Sequence, residues 1–456
     1  MARILFLTSY YPPEKGAAAV RVSETAACLM RRGHQVMVLT TFPNYPTGIV
    51  PPEYRGHVIR EETLDGVRVV RVWSYVTANK GFLRRILAQF SFGCFAAMLG
   101  WRAVGRPDVV IVESHPLFNA ISGRLLSWLK HCPLVFMVSD LWPESAVQLG
   151  LLRNRVLIWL AERLEWSTYK RSSFVWALTE GIRARLIERG LLPEHIFLLT
   201  NGVDTTKFRP VPREQARAKL DWDDRFTVLY AGTHGPSHGL ITLLDAAEQL
   251  KDVREIHFIL AGDGAEKADL MAHAQERKLS NVTFLDAQSH DRIPLLLAAA
   301  NVSWIHWRKL PVFEGGLPLK MFEAMGCGRP ILLGVDGEPR RLAEQKAGAA
   351  VYFESGNSNA LVDGILYLKS HPEVAELLGQ RGRVYVEANY SRDQLTAQLD
   401  AQLAVLLAKS KYIPVPMISS PGMMPLTPMP ESLSMTPVGA VTEKSQAQND
   451  NHAQGS

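Results

Sequence analysis

The stretch "RILFLTSYYPPEKGAAAVRVSETAACLMRRGHQVMVLTTF", Arg3 to Phe42, switches its periodicity twice. "RILFLTSYY" is a short β-rich run, Ala18 to His34 has helical spacing, and "QVMVLTTF" is a second strand. Apolar strands separated by a helix imply neighbours in a parallel sheet covered on both faces. The same alternation continues through "DVVIVES", "PLVFMVSD" and "FVWALTE". It recurs beyond Pro210 in "FTVLYAG", "IHFILAGDG", "VTFLDA", "VSWIHW" and "PILLGV". The pattern predicts an α/β protein of two Rossmann-like doubly wound domains facing a cleft. The expected boundaries are residues 1–199 and 200–384, joined near "LLTNGVDTTKFRP". Terminal helices at 385–409 are expected to cross back to the first domain. Residues 410–456, rich in Pro, Ser, Thr and Met, are expected to be disordered.

With 456 residues, the chain is too long for one core. Hydrophobic residues at 47% and charged residues at 21% fit a globular protein. A net charge of +5 is too mild to argue for nucleic acid. The four cysteines form no CxxC pair, which argues against a disulfide framework and a structural zinc site and for buried free thiols. The opening apolar run is too short for a signal peptide. No stretch reaches the roughly 18 apolar residues of a spanning helix.

Ligands of open α/β sheets sit beyond the carboxyl ends of the strands, where the unusual residues fall. In "GGLPLKMFEAMGCGRPI", Gly315 to Ile331, Pro318 suits a helix start, yet Lys320 places a cation at the positive end of the helix dipole. Glu323 lies among Met321, Phe322, Ala324 and Met325, where a carboxylate is costly to bury alone. A nucleoside diphosphate resolves both conflicts. Its phosphates would take the first-turn amides and Lys320, helped by turns at Gly315, Gly316 and Leu317, and its ribose hydroxyls would donate to Glu323. The competing reading is a surface Lys320–Glu323 pair.

This segment resembles the nucleotide-binding signature of the retaining glycosyltransferases of the two-Rossmann GT-B type, family four. "FPNYPTG", "SDLWPES", "NGVDTTKF", "YAGTHGPSHGL" and "AGDG" extend the resemblance from Met1 to about Leu407. The likeness is to the branch that makes bacterial surface polysaccharides, including N-acetylfucosaminyltransferases. It implies a nucleotide-sugar donor, with UDP expected, front-face attack, no cofactor and no essential metal. Of that family's two glutamates eight residues apart, the second maps onto Glu323. The first would fall at Gly315, with Glu314 one residue early as the replacement sugar contact.

Gly232, Thr233 and Gly235 of "YAGTHG" can bring amides and a hydroxyl to a diphosphate. Family members often carry an Arg and a Lys here; this chain has only His234 and His238, with Arg308 a further cation. On the opposite wall, Gly16 lets a loop approach the donor, and "ESHPLF" supplies His115. Asp140 either orients the acceptor hydroxyl or caps the next helix. The Asp-x-Asp at Asp221–Asp223 precedes a strand and reads as a solvated turn. Lys80, Arg84, Arg85, Arg102 and Arg106 flank an apolar run without an acid, and Trp159 and Trp166 recur at amphipathic spacing. Both suit an anionic membrane surface and a polyprenyl-diphosphate-linked glycan acceptor. The expected location is cytoplasmic, peripheral at the inner membrane face. A sugar-nucleotide epimerase of the same architecture and a catalytically silent scaffold remain alternatives.

Overall fold

The computed structural model describes residues 1–14, 16–45, 48–77 and 82–410. The expected tail at 410–456 lies outside them apart from residue 410, as does Lys80.

The first sheet contains β1 (Arg3–Leu7), β2 (Gln35–Thr41), β3 (Ile59–Leu64), β4 (Val67–Val72), β5 (Val109–Glu113), β6 (Leu134–Val138), β7 (Phe174–Ala177) and β8 (Ile196–Leu198). Their order is β3-β4-β2-β1-β5-β6-β7-β8, parallel except for the β3–β4 pair. The second sheet contains β9 (Phe226–Ala231), β10 (Ile256–Ala261), β11 (Val282–Leu285), β12 (Val302–His306), β13 (Ile331–Gly334) and β14 (Ala350–Tyr352). It is parallel throughout, in the order β11-β10-β9-β12-β13-β14. The architecture is the two-Rossmann GT-B fold. Strands β5, β6, β7, β12 and β13 are buried along their whole length, which explains their largely apolar sequences, broken only by the buried Glu113, Ser303 and His306.

The β3–β4 hairpin was not anticipated. Asp65 and Gly66 turn with φ of 50° and 81°, the left-handed pair that an Asp-Gly hairpin turn requires, so a local signal was present. Strand β3 alternates exposed and half-buried residues, as an edge strand does. The terminal segment forms two helices, Pro372–Asn389 and Arg392–Ser410. Leu395, Leu399 and Leu403 of the latter join the hydrophobic core of the first half. Arg392 ties this return in place by donating to Glu24 at 3.0 Å and to the Gly202 carbonyl at 2.6 Å.

Both sheets reverse strand order beside their first strand, between β1 and β5 and between β9 and β12, so each has a crevice at its carboxyl edge. These edges meet. Val312 N donates to Gln148 Oε1 at 3.1 Å, and Thr179 Oγ1 donates to the Gly315 carbonyl at 2.6 Å. The Glu338 carboxylate accepts from the amides of Glu180 at 3.1 Å and Gly181 at 2.7 Å.

Leu399 is fully buried although it comes from a helix that follows the second half. Leu399→Ala is expected to cost about 2–5 kcal/mol and to shift the urea midpoint of the first half, read by its tryptophan fluorescence.

Candidate active site

The chain from Leu310 to Gly326 runs as a short Pro311–Glu314 turn of helix, a bend, and the Leu319–Gly326 helix. Pro318 is the N-cap, one residue before the first helical position it was expected to fill. The first-turn amides of such a helix have no intrahelical acceptor. Lys320 therefore has its backbone at the positive end of the dipole, and its side chain turns inward. Its ammonium is buried and makes no hydrogen bond among the described residues. Nζ lies 4.1 Å from the centre of the Tyr230 ring. A Cβ on Gly232 would come within 2.5 Å of it, so a residue other than glycine there would displace the cation. Burial lowers the Lys320 pKa to about 8, opposed by the charge of Glu323. The surface-pair reading of Lys320 and Glu323 is thereby excluded.

Glu323 is 8% exposed and accepts from His290 Nε2 at 3.0 Å. Lys207 Nζ lies 2.9 Å from His290 Nδ1, which assigns the ring proton to Nε2. Sequence reasoning missed this imidazole because it comes from the loop after β11. Its other neighbour is Glu24, across the two halves, at 3.7 Å. Glu323 Oε2 keeps no hydrogen-bond partner among the described residues.

The Gly232–Gly235 loop leaves β9 beside this helix. The Gly232 and His234 amides donate to the Ala261 and Asp263 carbonyls at 2.9 and 2.8 Å. The amides of Thr233 and Gly235 remain without a partner among the described residues. The Thr233 carbonyl accepts from the Tyr230 hydroxyl at 2.5 Å, which fixes the ring under Lys320. "AGDG" earns its glycines here: a Cβ on Gly262 or Gly264 would collide with the backbone of Gly232 or His234. Both ring nitrogens of His234 and Nδ1 of His238 are buried and unpartnered among the described residues. Burial lowers both imidazoles, His234 to about 4. Both are neutral at pH 7, so the positive charge beside this loop is that of Lys320 and of Lys267, the latter paired with Asp286 at 2.7 Å.

Other predicted residues are placed less directly. Gly316 donates its amide to the Phe313 carbonyl at 3.1 Å, so that amide is not free for a ligand as the sequence suggested. Lacking a Cβ, it lets the Trp307 ring pack close. Gly315 presses on Gly181, where a Cβ on either residue would crowd the other. Leu317 and Pro318 are buried. Glu314 is exposed, its backbone packed against Gly337. Arg308 is exposed, forms no ion pair among the described residues, and donates its amide to the Ser237 carbonyl at 2.9 Å.

On the first half, Gly16 is the N-cap of the Ala17–Arg31 helix with φ of 151° and open space on its Cβ side. His115 and Asp140, after β5 and β6, are brought together at 4.0 Å, Nδ1 to Oδ2. Asp140 accepts from Ser145 Oγ at 2.9 Å, a side-chain contact; the cap position of the Glu144–Gln148 helix belongs to Pro143. Tyr10 stacks on His115 at 6.2 Å and meets the edge of Tyr45 at 5.4 Å. Tyr45 in turn lies close enough to raise the Tyr230 phenol further, after burial. Beneath them the buried pair of Arg21 and Glu113, with Thr8 Oγ1 donating to Glu113 at 2.8 Å, fixes the ends of β1 and β5. Asp221–Asp223 precedes β9, and Asp223 pairs with Arg225 at 2.7 Å, as a solvated turn does.

This arrangement sets two carboxyl edges, an amide-lined loop and a buried cation around one crevice. Residues 16–202 match the glycosyl transferase 4-like domain, and residues 212–385 match glycosyl transferases group 1. The chain belongs to this glycosyltransferase family. It is 28% identical over 394 residues to the putative colanic acid biosynthesis glycosyl transferase WcaI of Escherichia coli, covering 83% of this chain and 96% of that one. It is 30% identical over 372 residues to D-inositol 3-phosphate glycosyltransferase 1 of Catenulispora acidiphila, covering 77% and 79%. The fold matches HepE of Anabaena, solved with UDP and glucose, with a TM-score of 0.66 at 19% identity, covering 89% of this chain and all of that one.

Lys320 has a pKa of about 8 when folded and an ordinary value near 10.5 otherwise. Below pH 8 the native state carries the cost of a buried charge. Between pH 8 and 10.5 the unfolded chain binds more protons, so this group's contribution to stability rises with pH. Urea unfolding should show Lys320→Met more stable than wild type at pH 7, with the difference shrinking by pH 10.

Proposed function

We propose that this glycosyltransferase moves a sugar from a nucleoside diphosphate, with UDP as the nucleotide, to a lipid-linked glycan during surface-polysaccharide assembly. The observation that carries the donor reading is the buried Lys320 ammonium without a hydrogen bond. It lies between the Gly232 loop and the open amino end of its own helix. A diphosphate there completes an electrostatic site that is otherwise missing its anion. Thr233 and Gly235 contribute amides, Arg308 a cation at the rim, and Gly16 the close approach of the opposite wall. Glu323 Oε2 accepts from the ribose. The choice of UDP is supported by the fold shared with HepE, solved with UDP, and the choice of pathway by the similarity to the putative colanic acid transferase WcaI.

The leaving diphosphate is stabilised by Lys320 and helix amides, a role that a metal fills in other transferases. Transfer proceeds with retention, by attack on the same face from which the diphosphate departs. A donor phosphate oxygen takes the acceptor proton. His115 and Asp140 steady the acceptor side and the positive charge developing on the ring. Glu314 contacts the sugar after a local rearrangement of the Pro311–Glu314 turn.

The acceptor reading rests on one layer of the first half, the helices Phe82–Gly100, Asn119–Lys130 and Arg155–Arg171. Their sequences hold eight cations (Arg84, Arg85, Arg124, Lys130, Arg155, Arg163, Lys170 and Arg171) and two acids, Glu162 and Glu165. Both acids are buried. Trp128, Trp159, Leu157, Leu160 and Met98 are exposed among the cations. Exposed aromatics among positive charges suit the headgroup region of an anionic bilayer. Among the described residues no helix is long and apolar enough to cross a membrane. The layer lies on the membrane face and receives a polyprenyl-diphosphate-linked glycan.

Calorimetry with UDP at pH 7 is expected to show at least a tenfold loss of affinity for Lys320→Met and for Glu323→Ala. His290→Ala should stay within about threefold, because that imidazole occupies Glu323 Oε1 and leaves Oε2 to the ribose. Unchanged affinity in the first two variants would remove the donor assignment.

A further inference from the structure

Within the basic layer, the helices Asn119–Lys130 and Arg155–Arg171 do not close fully on each other. They leave a pocket of about 370 Å³ lined by Ile121, Arg124, Leu125, Trp128, Leu164 and Arg171. The first four residues fall at positions i, i+3, i+4 and i+7 of one helix, a continuous stripe. Leu164, Ser167 and Arg171 make the facing stripe on the other.

The chemistry of the lining is divided. Ile121, Leu125, Trp128 and Leu164 are apolar, and the two remaining residues are guanidinium cations. Arg124 donates to Ser167 Oγ at 2.8 Å, and neither arginine forms an ion pair among the described residues. Each therefore faces the other's charge; burial, and after it the charge of Arg171, lowers the Arg124 pKa. Glu162 and Glu165, the only acids in the two helices, are buried, and Glu165 is paired with Arg189 at 2.6 Å. Nothing in the lining neutralises the pair. Two adjacent guanidiniums over an apolar floor match a phosphate diester carrying a hydrocarbon chain. The planar forks grip the phosphate oxygens, and the chain replaces water on the apolar stripe. Trp128, 69% exposed, stands at the rim, where an indole belongs at a membrane interface.

We propose that the crevice between Arg124 and Arg171 seats one anionic phospholipid, its phosphate between the two guanidiniums and the start of its chain along Ile121, Leu125, Trp128 and Leu164. This rests on the reading that the basic layer faces a membrane, and it adds a stoichiometric site to a general electrostatic attraction. A single seated lipid fixes the rotation of the first half on the bilayer, and with it the height of the acceptor-side crevice.

The full chain is titrated with monomeric dihexanoyl-phosphatidylglycerol, with inorganic phosphate, and with vesicles of phosphatidylcholine alone or mixed with phosphatidylglycerol. Tryptophan fluorescence reads the soluble ligands and flotation reads the vesicles. The variants are Arg124→Gln/Arg171→Gln, the exposed single change Arg171→Gln, and the control Arg102→Gln/Arg106→Gln, which removes the same charge just beyond the end of the Phe82–Gly100 helix. Saturable binding of the monomeric lipid is expected, at least tenfold tighter than phosphate. It should be lost in the first variant, weakened in the second and kept in the control, all with unchanged UDP binding. Equal effects in variant and control, phosphate binding as tightly as lipid, or no monomer binding would overturn the proposal. Monomer binding without vesicle flotation would retain the seat and remove the membrane reading. Flotation without monomer binding would do the reverse.

Discussion

A lysine ammonium held out of water without a hydrogen bond is the constraint around which the second half is arranged. Lys320 reaches its position because Gly232 has no Cβ and because Tyr230 offers its ring face 4.1 Å away. Tyr230 is held by its own bond to the Thr233 carbonyl, and the loop by amides pinned to the end of β10. That pinning needs Gly262 and Gly264, since any side chain there would collide with the loop. A cation at the positive end of a helix dipole gains nothing from local structure. In the proposed function it is half of an interaction whose other half is the donor diphosphate.

The crevice exists only because the two carboxyl edges are held face to face. Glu338 of the second half caps the Glu180–Glu188 helix of the first by accepting two of its amides. Beside it Gly181 and Gly315 meet backbone to backbone, and Thr179 bonds across the contact. This is the setting in which glycine stands where the family resemblance led to a glutamate: a Cβ at 315 would lie 3.1 Å from the Gly181 Cα and crowd the contact between the halves. The Arg392–Ser410 helix closes the other side by contributing leucines to the first core. Tyr45, Tyr10 and His115 form a chain of ring contacts that ends at Asp140.

Charge is sorted by face. Carboxylates on the basic layer are confined to buried positions, whereas the Ala17–Arg31 side carries exposed pairs such as Arg31–Asp393 and Arg32–Asp400. Surface pairs of that kind contribute little stability. A layer stripped of them acquires a positive potential, which in the proposed function meets an anionic membrane surface.

Strand periodicity determined the two doubly wound domains, because a strand buried on both faces is apolar at nearly every position and keeps a polar residue only where it finds a partner, as Glu113 does in Arg21. The same local logic marked Lys320 and Glu323, since each violates a rule that its immediate neighbours impose. The sequence could not show what comes together from distant segments. His290 on Glu323, Gly181 against Gly315, and Arg124 facing Arg171 across two helices have no spacing that announces them. Glu323 reads as needing a donor, but which donor depends on a loop 33 residues away in the chain. Local order follows from patterns within a few residues, whereas a site is assembled by packing, and packing is decided only when the elements meet.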